Sequence, residues 1–276
     1  MRLASAPVTW GVWEKTTSRD DLVPPARLLE TMRRLGYTAT ELGPPGYFST
    51  ELLEQYDMTL VGGFAPLRFE DDGAFRDDVE TWLDPVIEVL RETGARGPVV
   101  LAGGELEGPH EPPGAPYFER VDRAVERCRS RGIPVVFHHH AGTYVESPAE
   151  IESLLAQTDV GICYDTGHAL VGGGDPIEVA RMCGDRIEHV HLKDVDPVIL
   201  ARLRSGELSL DEAWIDGIFC PFGEGGVDFD AVLSELAGFE GWTVLEQDRV
   251  AVTAGDLAAV AVVEASNLEV IQRKES

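Results

Sequence analysis

The chain of 276 residues contains little positive charge and almost no lysine. Lys15, Lys193 and Lys274 are its only lysines, and 23 lysines and arginines face 49 aspartates and glutamates, for a formal net charge of −26. A surface this negative repels the phosphates of nucleic acids and of anionic lipids. We therefore expect neither a nucleic-acid partner nor a membrane partner, and we interpret the charge mainly as a solubility trait.

Long apolar runs and paired cysteines are also absent. No stretch approaches the ~20 apolar residues of a membrane span, and the opening residues lack the apolar core of a signal peptide. The four cysteines (Cys128, Cys163, Cys183 and Cys220) are scattered without C-x-x-C spacing. These features predict a cytoplasmic protein with reduced thiols.

Short apolar, β-branched runs alternate with helix-like segments along the whole chain. The predicted strands cover residues 3–12, 39–42, 58–63, 98–103, 133–138, 160–165, 187–192 and 242–246. The predicted helices cover residues 25–35, 75–93, 118–131, 148–157, 176–183 and 229–236. Eight such units predict an α/β fold, a single (β/α)8 TIM-barrel domain over residues 1–276 with a parallel eight-stranded barrel. A doubly wound open sheet is the alternative, but no glycine-rich turn follows the first strand.

One connection is much longer than the others. Residues 194–241, between the seventh and eighth predicted strands, contain a short helical piece and the glycine-rich segment 221–226. Loops of this length are usually functional. We interpret this one as a lid or substrate wall over the catalytic face, with a decorative insertion as the alternative.

Polar residues lie at the ends of most predicted strands or just beyond them. They are Glu41, Glu105, the histidines at 138–140, Asp165, His168, His191, Lys193 and Glu246. Strand ends converge on the catalytic face of a barrel, so we expect these side chains near one another. A histidine of the 138–140 run with Asp165, His191 and Glu246 would form a mixed imidazole and carboxylate set, which suits a divalent transition metal. Hydrogen-bonded polar groups without a metal are the alternative.

Four segments resemble the xylose isomerase-like TIM barrels, also called the sugar phosphate isomerase/epimerase or AP endonuclease family 2 superfamily. They read FHHHAGT at 137–143, YDTGH at 164–168, HVHLKDV at 189–195 and GWTVLE at 241–246. Within this group the resemblance is strongest to the inosose dehydratases. It implies a divalent metal held by His138, Asp165, His191 and Glu246, with manganese favoured over cobalt, iron, zinc or magnesium.

The resemblance also implies an activity. An inosose dehydratase removes water from 2-keto-myo-inositol, a cyclic polyol ketone, by enolisation and loss of a hydroxyl group. The candidate acids and bases are Lys193, His140 and Glu146, and the candidate substrate contacts are Glu41, His168, Glu105 and Trp10. For Lys193 the alternative is a salt bridge to Asp194 or Asp196, and His168 could equally be a structural histidine.

Other activities share much of this pattern. Related ketose epimerases have a glutamate where this chain has His138, so symmetric two-base epimerisation is disfavoured. A ketose or sugar (phosphate) epimerase or isomerase, or a lyase that eliminates from a 3-keto glycoside, stays an alternative. A repair endonuclease would share the YDTGH segment, but the net charge of −26 disfavours DNA. A small sugar or inositol-derived ketone is thus the expected partner, and a homo-oligomer is left open.

Overall fold

The computed structural model describes residues 1–67, 79–104, 112–250 and 252–274. In these ranges the chain forms two compact units, Met1–Val61 with His191–Ser276, and Gly62–Val190. Both units combine short strands with helices, which confirms the predicted α/β class. The single domain over residues 1–276 stays a prediction.

The elements are numbered in chain order. The strands are β1 (Arg2–Ser5), β2 (Ala39–Thr40), β3 (Thr59–Leu60), β4 (Gly63–Pro66), β5 (Val99–Ala102), β6 (Val135–His138), β7 (Gly161–Asp165), β8 (Ile187–Leu192), β9 (Asp194–Val195), β10 (Phe219–Cys220) and β11 (Trp242–Leu245). The helices are α1 (Pro25–Leu35), α2 (Thr50–Gln55), α3 (Val79–Glu92), α4 (Ala115–Ser130), α5 (Pro148–Gln157), α6 (Thr166–Val171), α7 (Pro176–Cys183), α8 (Pro197–Arg204), α9 (Leu210–Ile215), α10 (Phe229–Glu235) and α11 (Leu257–Lys274).

The first unit is built on parallel strands in the order β3-β2-β1-β11. Ala4 is paired with Val244, and Ser5 with both Leu245 and Thr40. The buried side chains between these strands are small, and they form a core cluster of Ala4, Ala6, Ala39, Val61 and Val244. Parallel pairing brings the carboxyl ends of these strands to the same edge of the sheet.

The second unit is built on parallel strands in the order β7-β6-β5-β4. Val100 is paired with Val136 and with Phe64, and these side chains pack with Cys163. The strands β5, β6 and β7 are buried along their whole length, as expected for a parallel sheet that is covered on both faces. Strand β8 contributes residues to both units, because the division falls between Val190 and His191.

Several helices have the predicted bounds because local signals define their ends. Helices α1, α5 and α7 begin at a proline and match the predicted ranges. Gly36, at φ 98°, ends α1 in the left-handed conformation and donates its N–H to the Arg33 carbonyl. Helix α3 begins at Val79 among the described residues, so the predicted residues 75–78 lie outside them.

Two predicted strands differ from the structure. The strand predicted at 3–12 ends at Ser5, and Pro7–Trp10 form a 3-10 helix, because proline fixes φ and supplies no N–H for a ladder. The strand predicted at 58–63 is divided into β3, which pairs with β2, and β4, which begins at Gly63 and pairs with β5. In the described residues this sheet therefore contains nine strands, where eight were predicted.

The long connection at 194–241 is folded rather than irregular. It contains the antiparallel pair β9-β10 and the helices α8, α9 and α10. The Asp194 carboxylate accepts hydrogen bonds from the backbone N–H groups of Val195, Gly223, Gly225 and Val227, which fixes the glycine-rich segment. Its role as a lid or substrate wall stays a prediction.

No disulfide joins the four cysteines, all of which are buried. Of the helices in the described residues, none has the length and apolar character that a membrane crossing requires.

Candidate active site

In the first unit, polar side chains meet at the carboxyl ends of the strands. Glu41 follows β2, His191 is the fifth residue of β8, Lys193 follows β8 and Glu246 follows β11. All four are buried. The Glu246 N–H donates to the Leu192 carbonyl, which places the two strand ends side by side.

His191 lies between two carboxylates. Its Nε2 is 3.1 Å from Glu41 Oε1, and its Nδ1 is 3.0 Å from Glu246 Oε2. A neutral imidazole has only one N–H, so it can donate to only one of these carboxylates. Occupation of both contacts requires an imidazolium ring, a protonated carboxyl group, or a cation in place of one proton. This geometry therefore suits a ring that binds a metal through one nitrogen and donates to a carboxylate through the other.

Lys193 is 2% exposed and forms ion pairs with two carboxylates. Its Nζ lies 2.7 Å from Glu246 Oε2 and 3.3 Å from Asp248 Oδ1. Burial opposes ionisation of Glu246, but the charges of Lys193 and His191 outweigh it and lower the pKa of Glu246 to about 2. The salt bridge expected as the alternative role of Lys193 was to Asp194 or Asp196. Those two aspartates have other partners, since Asp194 binds the glycine-rich segment and Asp196 caps α8. The salt bridges of Lys193 are to Glu246 and Asp248.

In the second unit, His138 ends β6 and Asp165 ends β7. The distance from His138 Nε2 to Asp165 Oδ2 is 3.4 Å, and both side chains are buried. Asp165 Oδ1 accepts the His168 N–H at 2.8 Å and so caps α6. One carboxylate oxygen thus fixes the orientation of Asp165, and the other faces the His138 ring.

His140 and His168 are stacked with their ring centroids 3.8 Å apart and their planes inclined by 34°. Both rings bond to the backbone of Ala141. His140 Nδ1 is 2.8 Å from the Ala141 carbonyl oxygen, and the Ala141 N–H donates to His168 Nδ1 at 3.2 Å.

The family model described as "Xylose isomerase-like TIM barrel" matches residues 29–264. The chain belongs to this family. Membership confirms the predicted TIM-barrel fold and the resemblance on which the ligand assignment depends.

Two curated relatives match most of the chain. The rhizopine catabolism protein MocC of Rhizobium meliloti is 32% identical over 281 residues, which cover 90% of this chain and 82% of that protein. The inosose dehydratase of Geobacillus kaustophilus is 32% identical over 273 residues, which cover 90% of this chain and 87% of that enzyme. These relatives identify the chain as an enzyme of the family.

Two solved structures share the fold. The probable 3-DHS dehydratase AsbF of Bacillus anthracis superposes with a TM-score of 0.72 at 16% identity, covering 96% of this chain and 98% of AsbF. The IolI protein with a bound zinc atom superposes with a TM-score of 0.68 at 17% identity, covering 99% of both chains. At these identities the two structures support the fold alone.

The donor set of this family member fits a divalent metal. Each unit pairs a buried imidazole with a buried carboxylate, His138 with Asp165 and His191 with Glu246. Metal–ligand bonds of about 2.0–2.2 Å place neighbouring ligand atoms roughly 3 Å apart, as both pairs are. Mixed imidazole and carboxylate ligands suit manganese, iron, cobalt or zinc. Glu41 bonds to His191, and the contact of Glu41 with substrate stays a prediction.

The remaining predicted site residues have different surroundings. Glu146 Oε2 accepts the Gly142 N–H at 2.5 Å, so this carboxylate stabilises the loop after β6. Trp10 is fully buried, and its indole N–H donates to the Ser5 hydroxyl at 3.0 Å. Glu105 lies outside the described residues. Catalysis by Glu146 and substrate contacts by Trp10 and Glu105 stay predictions.

Sequence reasoning assigned no role to His139. Its Nε2 accepts the backbone N–H of Asp165 at 3.1 Å, which connects the ends of β6 and β7. Gln247 was missed as well, although its N–H donates to Thr9 Oγ1 and its side-chain amide donates to the Phe219 carbonyl. The only signal for either residue was its position beside a predicted ligand.

Proposed function

We propose that this chain is a divalent-metal-dependent dehydratase that removes water from 2-keto-myo-inositol or a closely related cyclic polyol ketone. The observation that carries the proposal is the pair of buried imidazole–carboxylate contacts at strand ends, His138 with Asp165 and His191 with Glu246. The match to inosose dehydratase over 90% of this chain supports the substrate class.

His138, Asp165, His191 and Glu246 would hold the metal, with manganese as the favoured ion. When bound, such a cation supplies a Lewis acid that polarises a carbonyl or hydroxyl oxygen of the substrate. Glu41 keeps His191 oriented through Nε2, and His139 keeps the end of β7 in place through the Asp165 N–H. Outer contacts of this kind commonly change metal affinity tenfold or more when they are removed.

Dehydration requires two proton movements. A base removes the proton on the carbon beside the ketone, and an acid delivers a proton to the hydroxyl group that leaves from the next carbon as water. Lys193 holds a proton at Nζ between Glu246 and Asp248, and His140 offers an imidazole in the second unit. These two residues are our candidates for the proton transfers, and the Gly142 contact of Glu146 makes it the weaker third.

The activity is tested by incubation of the metal-loaded protein with 2-keto-myo-inositol. We expect a product lighter by one water, together with the ultraviolet absorbance of an enolised diketone. A product of unchanged mass, with an inverted carbon in a ketose substrate, would establish the epimerase alternative instead. Loss of a larger group from a 3-keto glycoside, without reaction of the inosose, would establish the eliminating lyase.

Asp165→Asn tests the ligand assignment without loss of the helix cap. Asparagine caps helices as well as aspartate does, so the bond from the His168 N–H persists while the anionic ligand is lost. We expect bound metal to fall from about one equivalent to a small fraction of it by elemental analysis after dialysis. Asp175→Asn at the N-cap of α7 is the matched control and should keep the wild-type metal content. Full metal retention by Asp165→Asn would exclude Asp165 as a ligand.

A further inference from the structure

The ring of Phe219 lies against the ammonium group of Lys193. The Lys193 Nζ is over this ring, 5.4 Å from its centroid, and both side chains are buried. A cation within about 6 Å of an aromatic face is attracted by the negative face of the ring. Lys193 Nζ therefore contacts an aromatic face as well as two carboxylates, at 2.7 Å from Glu246 Oε2 and 3.3 Å from Asp248 Oδ1.

The backbone of Phe219 is held in this position from two sides. Strand β10, which contains Phe219, pairs with β9 just after Lys193. The Phe219 carbonyl also accepts the side-chain N–H of Gln247 at 2.9 Å. Gln247 is the residue between Glu246 and Asp248. One side chain thus connects the strand that carries the ring to the segment that carries both carboxylates.

The two partners of the Gln247 amide determine its orientation. Arg249 Nη2 donates to Gln247 Oε1 at 2.6 Å, and Gln247 Nε2 donates to the Phe219 carbonyl. A guanidinium group can only donate and a carbonyl can only accept, so the amide oxygen must face Arg249 and the amide nitrogen must face Phe219. An ionised carboxylate only accepts and an ammonium group only donates. Among side chains of this length, an amide is therefore the group that satisfies both partners.

The backbone around Gln247 is fixed as well. Its N–H donates to Thr9 Oγ1 at 3.1 Å, and the Arg249 N–H donates to the Val8 carbonyl at 3.3 Å. Both acceptors belong to the 3-10 helix that follows β1. The Gln247 side chain therefore extends from a fixed backbone, and the position of its amide determines that of the Phe219 carbonyl.

We propose that Gln247 is a positioning residue that holds the Phe219 ring against Lys193 and so keeps the Lys193 ammonium group in place between Glu246 and Asp248. The two carboxylates belong to one segment of the chain and the ring belongs to another. The Gln247 bond keeps these three contacts of Nζ at constant distances from one another. The consequence for catalysis rests on the proposed function, in which Lys193 is a candidate for proton transfer, whereas the contacts themselves do not.

The contact of the ring is measured by NMR of the full-length, metal-free protein with labelled lysine. Lys15→Arg and Lys274→Arg together leave Lys193 as the only lysine, so its side-chain Hε signal is assigned directly. We expect the ring to shield this signal. It should move downfield in Phe219→Leu and stay close to the parent position in Phe219→Tyr. An unchanged signal in Phe219→Leu would overturn the proposal.

Gln247→Met tests whether the ring depends on the amide. This variant keeps the side-chain length and loses both hydrogen bonds, so we expect the Lys193 signal to move as it does in Phe219→Leu. Gln247→Glu still accepts from Arg249 but no longer donates to Phe219, and it should cause the same movement if Gln247→Met does not fold. Arg249→Met is the matched control, because it leaves the Phe219 bond in place and should not move the signal.

The double variant shows whether the two residues act together. In a Phe219→Leu background, Gln247→Met should move the Lys193 signal no further, since both substitutions act through the same ring. A signal unchanged by Gln247→Met and Gln247→Glu, or an undiminished further shift in the double variant, would overturn the proposal.

The consequence for catalysis is measured with the metal-loaded protein and 2-keto-myo-inositol. We expect Phe219→Leu and Gln247→Met to lower kcat at least about tenfold, since misplacement of a reacting group by about 1 Å can cost 10²-fold. KM and metal content should stay close to the wild type, and Phe219→Tyr should keep most of the wild-type kcat. Wild-type kcat in both variants, with the Lys193 signal displaced, would overturn the positioning role. An inactive wild type would instead overturn the proposed function, and the Lys193 signal would still decide the placement of the ring.

Discussion

At the scale of single residues, Lys193 is a buried lysine that contacts two carboxylates. It places an ammonium group 2.7 Å from Glu246, where both side chains are almost fully buried. A buried ion pair need not be more stabilising than an apolar pair, but removal of one partner leaves an uncompensated charge. The low pKa of Glu246 depends on this ammonium group and on His191.

Lys193→Met keeps the length of the side chain and removes its charge. In the metal-free protein at pH 7 we expect the free energy of unfolding to fall by about 3–5 kcal/mol, and the pKa of Glu246 to rise. Lys274→Met is the matched control, because the Lys274 ion pair with Asp230 is exposed and should contribute at most about 1 kcal/mol. Equal urea midpoints for the two variants would contradict a stabilising role for the buried pair.

At the scale of elements, α11 contributes buried polar side chains to a series of hydrogen bonds within the first unit. Tyr37, after α1, donates its hydroxyl to Glu264 at 2.6 Å, and Asn267 donates to the same carboxyl group. Asn267 in turn accepts the Phe222 N–H at 2.9 Å, so α11 anchors the glycine-rich segment. Burial raises the pKa of Glu264 to about 7, against the opposing effects of Tyr37, Asn267 and Arg249.

This shift gives stability a defined pH dependence. The folded state holds the Glu264 proton more tightly than the unfolded state, whose pKa is near the ordinary 4.5. The contribution of Glu264 to the free energy of unfolding is therefore greatest below pH 4.5, and this contribution is lost as the pH rises towards 7. We expect a loss of about 3 kcal/mol over this interval from Glu264 alone.

Glu264→Gln should remove that contribution and flatten the stability profile between pH 4.5 and 7.5, as followed by urea unfolding. Glu269→Gln on the same helix is the control, because Glu269 is exposed and forms a surface ion pair with Arg273. It should keep the wild-type slope. A slope unchanged by Glu264→Gln would show that the carboxyl group remains ionised in the folded protein.

The local signals in the sequence predicted some elements well and others poorly. Helices α1, α5 and α7 were predictable because their apolar residues recur at helical spacing, and each of them begins at a proline. Helix α11 was missed, since Glu264 and Asn267 interrupt its apolar positions and yet are buried. Their burial depends on Tyr37 and Phe222, which are distant in the chain, so no local pattern could have indicated it.

The same limit applies to the site. Strand ends indicated Asp165, His191, Glu246 and one of the histidines at 138–140 as candidates, and the family resemblance selected His138 among the three. The pairing of His191 with Glu41, 150 positions earlier, depends on how strands pair in three dimensions. The role of His139 was hidden because alternation along a strand predicts the direction of a side chain but not its hydrogen-bond partner.

At the scale of the whole molecule, the main electrostatic feature is the formal net charge of −26. Arginine ion pairs are spread over the surface, including Arg127 and Arg131 with Asp84, but they neutralise only part of the acidic excess. Repulsion among the remaining carboxylates opposes the compact state and is screened by salt.

Sodium chloride should therefore stabilise the folded protein near neutral pH. Between about 10 mM and 0.5 M salt we expect Tm to rise by several degrees in calorimetry, since about 1 kcal/mol corresponds to roughly 2–4 °C for a chain of this size. The same series at pH 4.5, near the isoelectric point, should show a much smaller change. A fall in Tm with salt at neutral pH would show that attractive ion pairs outweigh the repulsion.

The burial of Lys193 also determines how the protein responds to amine-directed chemistry. Lys15 and Lys274 are exposed, whereas Lys193 is enclosed beside Glu246. Of the three lysines, an amine-reactive dye or a coupling resin would therefore modify only Lys15 and Lys274 in the folded chain. Modification of Lys193 would report opening of the site, so a protein with so few lysines carries its own probe of that event.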